Sequence, residues 1–216
     1  KEKKNRQVVF WSISLLVFLV AIFLSFSQGA WIGLGAAAIV FLFCLGYRKI
    51  SLGLVVLGII VALIVPNIRT AVLFQDQASK NRLVLWGDSK EFLTASPKNF
   101  VLGAGVRQFF RKIEKPHYDA KVMERLIYPH NILLNFWTET GLFGMIGFTG
   151  LLICVLVWVG KNKNKLVSAT WLAVWTGFVI HGLVDVPYFK NDLAFLFWLL
   201  IFFSWYFNHV EVIEKK

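Results

Sequence analysis

The chain has 216 residues, of which 57% are hydrophobic and 16% charged, and its formal net charge is +11. A soluble domain of this length would not contain five or six long uncharged runs, so the composition indicates an integral membrane protein. The positive charge does not indicate nucleic-acid binding, because the Lys and Arg residues lie in the gaps between the apolar runs. The cysteines, Cys44 and Cys154, lie inside apolar runs without metal-binding spacing, so we expect no metal or other cofactor.

Six apolar runs are each long enough to cross a hydrocarbon core of about 30 Å. They predict spans at residues 8–26, 31–47, 50–65, 141–159, 167–184 and 193–207. A long polar stretch separates the third run from the fourth, and residues 130–140 either begin the fourth span or lie along the interface. We therefore predict an all-α polytopic bundle in three parts: three spans in 1–65, a large loop in 66–129 and three spans in 130–216.

The charges of the loops predict the orientation of the spans. If the N-terminus is cytoplasmic, the segments on that side carry eleven Lys and Arg residues, whereas the short loops on the other side carry only Lys190. The long loop holds the remaining eleven, but long loops are translocated largely regardless of charge. We expect both termini inside and the long loop outside. Because a basic segment without an initial Met opens the chain, we also expect the C-terminal portion of a longer protein.

The long loop contains two predicted helical pieces. Ser79 or Asn81 is expected to cap a helix that runs to about Ala95, where a Ser-Pro pair ends it. Its apolar positions recur at helical spacing, so one face can lie on the membrane surface. A glycine-rich turn follows, then a second amphipathic stretch over residues 106–113. A further stretch after Pro116 is another candidate.

His130 is the first candidate for chemistry, because an imidazole can accept a proton from a hydroxyl group near neutral pH. The alternative is an interfacial histidine that caps a helix or hydrogen-bonds a carbonyl. The neighbouring Asn131 is expected to orient the ring or bind a sugar hydroxyl, or to serve as an N-cap. Glu139 lies in apolar surroundings where a lone carboxylate is costly, so we expect it to form a salt bridge with a loop arginine.

Basic side chains dominate the long loop, and guanidinium groups suit pyrophosphate oxygens. Most of them are expected only to attract anionic lipid head groups, at about 1 kcal/mol per charge. Arg82 stands out because it precedes Trp86 by one helical turn and would lie at the interface. The basic set is Arg69, Arg82, Arg107, Arg111, Lys112, Lys121 and Arg125.

Three further features have both a functional and a structural interpretation. His181 precedes Asp185 by four residues, which fits an ion or proton pair near the active surface, or a capping and turn cluster. Gln28, in the short turn between the first two spans, either binds substrate or satisfies backbone groups. The Gly103-Ala104-Gly105 string lacks the context of a nucleotide-binding loop and indicates a tight turn.

Taken in order, these strings resemble the O-antigen ligase and polymerase family, the membrane glycan transferases that share the Wzy_C domain. The family pattern has a Ser-Arg-Gly turn between two spans, an Arg…Trp string, a Gly-x-Gly turn, and His-Asn or His-Ser before a glycine-rich span. The matching strings here are Ser27-Gln28-Gly29-Ala30-Trp31, Arg82…Trp86, Leu102-Gly103-Ala104-Gly105 and His130-Asn131…Gly141-Leu142-Phe143-Gly144. The resemblance extends over nearly the whole chain.

The resemblance implies an inverting, metal-independent glycosyltransferase of the GT-C type, in the bacterial cytoplasmic membrane with its active site on the outer face. The implied donor is a glycan on undecaprenyl pyrophosphate, and the acceptor is a hydroxyl of a glycan, lipid or protein. By correspondence, Arg82 contacts the pyrophosphate and His130 activates or orients the acceptor hydroxyl, with Asn131 in support. Gln28 replaces a family arginine, so either Arg69 or Arg107 supplies the missing charge, or activity is altered.

Two other functional classes fit the composition. A transporter or flippase of lipid-linked saccharides also has many spans and a basic cavity. It should carry ionisable residues deep in its spans, which here are almost free of charge. A non-catalytic membrane scaffold would instead use the long loop to bind a partner. Members of the resembled family usually have more spans than this chain provides, which again predicts a missing portion.

Overall fold

The computed structural model describes residues 2–113, 127–189 and 191–213, and all regular structure in these ranges is helical, as predicted. The stretch after Pro116 and the cations Lys121 and Arg125 lie outside the described residues. The helices are α1 Glu2–Leu24, α2 Gln28–Leu45, α3 Arg48–Ile64, α4 Pro66–Val72, α5 Gln77–Thr94, α6 Pro97–Leu102, α7 Phe109–Lys112, α8 Ile132–Gly160, α9 Lys165–Gly182 and α10 Asn191–Ile213.

By length and composition, three of the described helices can cross a membrane: Asn5–Leu24, Gln28–Leu45 and Ile132–Gly160. The segments Arg48–Ile64 and Pro66–Thr94 are bent by 99° at the break between them. A fourth crossing results if they form one broken span. The chain is therefore a helical membrane protein. The fifth and sixth predicted runs are weaker candidates, because α9 includes Lys, Ser, Thr and His residues and the apolar part of α10 is short. The six-span arrangement and the GT-C type remain predictions.

The helix α8 begins beside His130 and is broken by a kink. Asn131 is its N-cap, and the side-chain oxygen accepts a hydrogen bond from the N–H of Leu134 at 3.0 Å. Gly141, with a φ of 79°, interrupts the helix. A Cβ at this position would collide with the carbonyl oxygen of Val101, so glycine lets the end of α6 pack against the kink. The segment before Gly141 is therefore helical, and whether it begins the fourth predicted span or lies along the interface stays a prediction.

The first loop helix, α5, starts earlier than predicted. Asp76 is its N-cap, and the carboxylate accepts a hydrogen bond from the N–H of Ser79 at 3.2 Å. The expectation that Ser79 or Asn81 caps the helix is therefore wrong, because an acidic cap is available upstream and its charge is favourable at a helix N-terminus. The end of the helix at Thr94 agrees with the prediction.

The tight turn predicted at Gly103-Ala104-Gly105 is confirmed. Gly103 and Gly105 have φ values of 66° and 99°, in the left-handed region that glycine tolerates. The N–H of Ala104 donates to the carbonyl oxygen of Thr138 at 2.6 Å, which fastens the turn to α8. The second loop piece is shorter than predicted: only α7 is helical, because Arg107 also has a left-handed backbone, with a φ of 60°.

The helices α2 and α9 pack closely along a seam of small residues. Gly29 and Gly33 of α2 are buried, and a Cβ on Gly33 would lie 2.9 Å from the carbonyl oxygen of Gly177. Small residues allow helix backbones in membranes to approach each other closely. The main hydrophobic core lies between α8, α9 and α10 around Trp175 and Phe197. As a result, the start of α2, the start of α8 and the end of α9 meet at one end of the bundle.

Candidate functional site

At this end of the bundle, one carboxylate lies between two histidines. The Oδ1 atom of Asp185 is 3.3 Å from Nδ1 of His130, and its Oδ2 atom is 3.5 Å from Nε2 of His181. The second contact is at ion-pair distance but is not aligned as a hydrogen bond. The His130 and Asp185 side chains are 26% and 40% exposed, so a substrate can reach them. The predicted pairing of His181 with Asp185 is thus found as a contact at 3.5 Å, and His130 joins them.

The charge of Asp185 is stabilised by its neighbours. Burial opposes ionisation, but the contacts of His130 and His181 with the carboxylate and the hydrogen bond from the N–H of Val186 outweigh it and hold the pKa of Asp185 well below its ordinary value. An ionised carboxylate beside Nδ1 of His130 keeps a proton on that nitrogen and leaves Nε2 to accept another. The same carboxylate stabilises the imidazolium that forms when His130 takes a proton.

The backbone around His130 is held by contacts from two sides. The indole N–H of Trp86 donates to the carbonyl oxygen of Pro129 at 2.7 Å. The side-chain amide of Asn131 donates to the carbonyl oxygen of Leu183 at 3.0 Å. Between these contacts, His130 has a φ of 50°, a conformation that costs energy for a residue other than glycine and persists only where neighbours enforce it. The N-cap interpretation of Asn131 is confirmed, and its binding of a sugar hydroxyl stays a prediction.

A second polar cluster joins Gln28 to the helix that carries Arg82. The side-chain amide of Gln28 donates to Oδ2 of Asp76 at 3.4 Å. Burial opposes the ionisation of Asp76, but hydrogen bonds from Ser79 and Gln28 and the positive charge of Arg82 hold the pKa of Asp76 below its ordinary value. Arg82 is half-buried in this cluster. The structure therefore gives Gln28 a carboxylate partner and places an arginine beside that partner.

The two clusters are neighbours. Gly29 follows Gln28 in the chain, and a Cβ on Gly29 would lie only 2.9 Å from Cδ2 of His181. On the other side, Trp86 lies one helical turn after Arg82 and bonds the carbonyl immediately before His130. These contacts link the sequence-predicted residues Gln28, Arg82 and His130 through a continuous set of packed groups.

Arg107 and Arg69, the two candidates to replace the missing charge near Gln28, lie away from the Gln28 cluster in the described contacts. The backbone N–H of Arg107 donates to the Glu139 carboxylate at 3.0 Å, and Glu139 is only 2% exposed. The predicted partner of Glu139, a loop arginine, is found, but the described hydrogen bond comes from the Arg107 backbone, so the predicted salt bridge stays a prediction. Arg69 is exposed on α4. Among the described contacts, none brings Arg69 or Arg107 to Gln28, so replacement of the missing charge by either residue stays a prediction.

The geometry can be compared with known proteins. A family model described as O-antigen ligase (Wzy_C) matches residues 13–149, which is more than half of the chain. The chain belongs to the O-antigen ligase family. Membership makes it a glycosyltransferase-like membrane protein with a role in glycan ligation or polymerisation, acting on a lipid-linked donor and an acceptor. Neither the curated proteins nor the solved structures include a match to the chain.

The O-antigen ligase match includes Gln28, Arg82 and His130 but ends before His181 and Asp185. The sequence indicates the spacing of His181 and Asp185 but not their contact with His130, which joins residues far apart in the chain. The signal that was available is positional, because the predicted topology places His130 and the turn after α9 on the same side of the membrane. Within the described residues, no three His, Cys, Asp or Glu side chains are grouped as metal ligands.

Proposed function

We propose that this chain forms part of a transferase that moves a glycan from undecaprenyl pyrophosphate to an acceptor hydroxyl. The reaction inverts the anomeric configuration, needs no metal, and takes place at the outer face of a bacterial cytoplasmic membrane. The observation that carries the proposal is the 3.3 Å contact between Asp185 and Nδ1 of His130 in a member of the O-antigen ligase family. An imidazole paired with a carboxylate in this way is suited to accept a proton from a hydroxyl.

In the proposed reaction, Nε2 of His130 takes the proton from the acceptor hydroxyl while the hydroxyl oxygen attacks the anomeric carbon of the donor. A new bond forms between carbon and oxygen as the bond from that carbon to the pyrophosphate oxygen breaks. The electron pair leaves with undecaprenyl pyrophosphate. Attack from the face opposite the leaving group inverts the anomeric centre, and Asp185 stabilises the imidazolium that results.

In the same proposal, Arg82 neutralises the charge that develops on the leaving pyrophosphate. Fixed cations aimed at developing charge are among the largest contributions to catalysis. The Asp76 carboxylate accepts a hydrogen bond from Gln28 and attracts the positive charge of Arg82, so Arg82 lies in the same cluster as Gln28. Arg69 and Arg107 are additional candidates to contact the donor phosphates, and Gln28 and Asn131 to contact its sugar or phosphate oxygens.

A reconstituted transfer reaction tests this function. The full-length protein is placed in lipid vesicles with an oligosaccharide on undecaprenyl pyrophosphate and an acceptor glycan, with a chelator present. We expect transfer of the oligosaccharide, release of undecaprenyl pyrophosphate, and an inverted anomeric configuration by NMR. Movement of the intact donor across the bilayer without transfer would contradict the proposal and favour a flippase.

A further inference from the structure

His181 contacts the catalytic pair from the side opposite His130. Its Nε2 lies 3.5 Å from Oδ2 of Asp185, the oxygen that His130 does not face. The imidazole is 31% exposed and packs on α2 at Gly29 and Gly33, where the helix has no side chains. A Cβ on Gly29 would lie 2.9 Å from its Cδ2, and a Cβ on Gly33 would lie 3.3 Å from its Cβ. The glycine seam thus leaves room for the His181 side chain against α2.

We propose that His181 is a positioning residue: it contacts Oδ2 of Asp185, draws part of the charge of that carboxylate away from His130, and so leaves His130 free to accept a proton. The proposal rests on the proposed function for the role of His130 as the base. It extends that function because it assigns a role to a histidine that does not itself contact the reacting hydroxyl.

The charged groups around His181 are few. From α2 it faces Gly29 and Gly33, which carry no charge. From the turn after α9 it faces Asp185, and beyond that carboxylate lies His130 at the start of α8. Asp76 and Arg82 lie in the neighbouring cluster around Gln28, the residue that precedes Gly29. Asp185 is therefore the main source of negative charge for both imidazoles.

Two imidazoles that face one carboxylate compete for its negative charge. A proton on His181 draws on the charge of Asp185 and repels a proton on His130. Even without that proton, a contact from His181 disperses the carboxylate charge. Removing or displacing His181 gives His130 the whole carboxylate, which favours its protonated form. Without His181, more alkaline conditions are needed before His130 is free to act as a base.

The test measures two quantities in the full-length protein in lipid nanodiscs. One is the pH profile of glycan transfer. The other is the pH midpoint of carbethoxylation of His130 by diethyl pyrocarbonate, which modifies only the neutral imidazole and is read by mass spectrometry. His209 provides an internal reference, because it lies near the far end of α10, about 27 Å from the start of that helix.

The substitution His181→Gln removes the titrating group but keeps a side-chain N–H donor. We expect both the carbethoxylation midpoint of His130 and the acid limb of the transfer profile to move to higher pH by roughly one unit, the usual effect of one nearby charge. The KM for the donor should not change, because His181 does not contact it. The same measurements on His209→Gln should match the parent protein.

A second variant displaces His181 without replacing it. Gly29→Ala introduces a methyl group 2.9 Å from atoms of His181 and Val184, so these side chains must move. Gly35→Ala on the same helix places its methyl group in open space, with nothing within 4 Å. We expect Gly29→Ala to shift the His130 midpoint in the same direction as His181→Gln, and Gly35→Ala to leave it in place. Each variant is compared only after its helical content and elution volume match those of the parent.

The two readouts separate this proposal from the proposed function. A shifted carbethoxylation midpoint supports the coupling even if no glycan is transferred, in which case only the proposed function fails. An unchanged midpoint in both His181→Gln and Gly29→Ala overturns the positioning role of His181, whatever the transfer activity. A shift to lower pH would overturn it equally, because it has the wrong sign.

Discussion

Replacing Asp185 with asparagine should disable the site while leaving its shape almost unchanged. The carboxylate now faces Nδ1 of His130 at 3.3 Å. A carboxamide of the same size turns its NH₂ group toward that nitrogen or loses the contact. If the NH₂ group donates to Nδ1, the ring proton moves to Nε2, and the nitrogen that should receive the hydroxyl proton is already occupied.

The size of the effect follows from the geometry. Two unit charges 3.3 Å apart interact by about 5 kcal/mol at an effective dielectric constant of 20 and by about 1.3 kcal/mol in bulk water. Because His130 and Asp185 are 26% and 40% exposed, screening leaves about 1–2 kcal/mol to stabilise the imidazolium. That is roughly a tenfold effect on rate, and the change of tautomer adds to it. We expect Asp185→Asn to slow transfer by about 10²-fold to 10³-fold.

The assay is initial-rate glycan transfer by purified full-length protein in vesicles, at a saturating donor concentration. Asp192→Asn is the matched control, because Asp192 is an exposed carboxylate just beyond the same turn. Asp185→Asn with a rate within threefold of the parent would refute the role of the ion pair. So would an equal loss in Asp192→Asn, since that would indicate a general effect of removing charge from this end of the bundle.

The pH dependence adds a check with a definite sign. The pKa of Asp185 is depressed in the folded protein, so its contribution to stability is present above the ordinary carboxyl value of about 3.9 and is lost as the pH falls below it. Loss of transfer between pH 8 and pH 5 therefore cannot come from protonation of Asp185. Thermal unfolding should show no loss of stability from Asp185 in that range, and a marked loss would contradict the assigned contacts.

Three further predictions concern the residues around this pair. Arg82→Lys should recover little of the roughly 10²-fold to 10³-fold loss of transfer expected for Arg82→Ala, because an ammonium cannot replace a bidentate guanidinium; equal rates for Lys and Arg would contradict this. Gly141→Ala should destabilise the protein by about 2–4 kcal/mol in thermal unfolding, because it combines a positive φ with a backbone collision, whereas Gly147→Ala on the same helix should have little effect; an unchanged midpoint for Gly141→Ala would refute the kink. Gln28→Arg should pair with Asp76 and keep or raise the transfer rate, and a clear fall would count against a donor site at this turn.

The parts of the fold that depend on local chemistry could be predicted from the sequence. The apolar runs gave the helices, and the Ser-Pro pair marked the end of α5. The N-cap at Asn131 was also a local signal, because a short polar side chain preceded an apolar run. The kink at Gly141 was not predictable in this way. It exists because the end of α6 packs against that glycine, a contact that depends on tertiary structure.

The same distinction between local and tertiary signals applies to the residues of the site. His130, Arg82 and Gln28 stood out from their own surroundings in the sequence. Asp185 was noticed only for its spacing from His181, since its contact with His130 joins residues far apart in the chain. An arginine partner for Glu139 could be predicted, but not that its backbone N–H makes the hydrogen bond, since this depends on how the loop packs on α8. Residue types revealed the chemistry, and only the packing of α2, α8 and α9 revealed the partners.

The most direct test of the central claim is the transfer rate of His130→Ala in purified full-length protein reconstituted in lipid vesicles, with His209→Ala as the control. If His130 is the base, transfer should fall by about 10²-fold to 10⁴-fold while helical content and donor binding stay close to those of the parent. Transfer by His130→Ala at near the parental rate, in protein that is folded and binds the donor, would contradict the account.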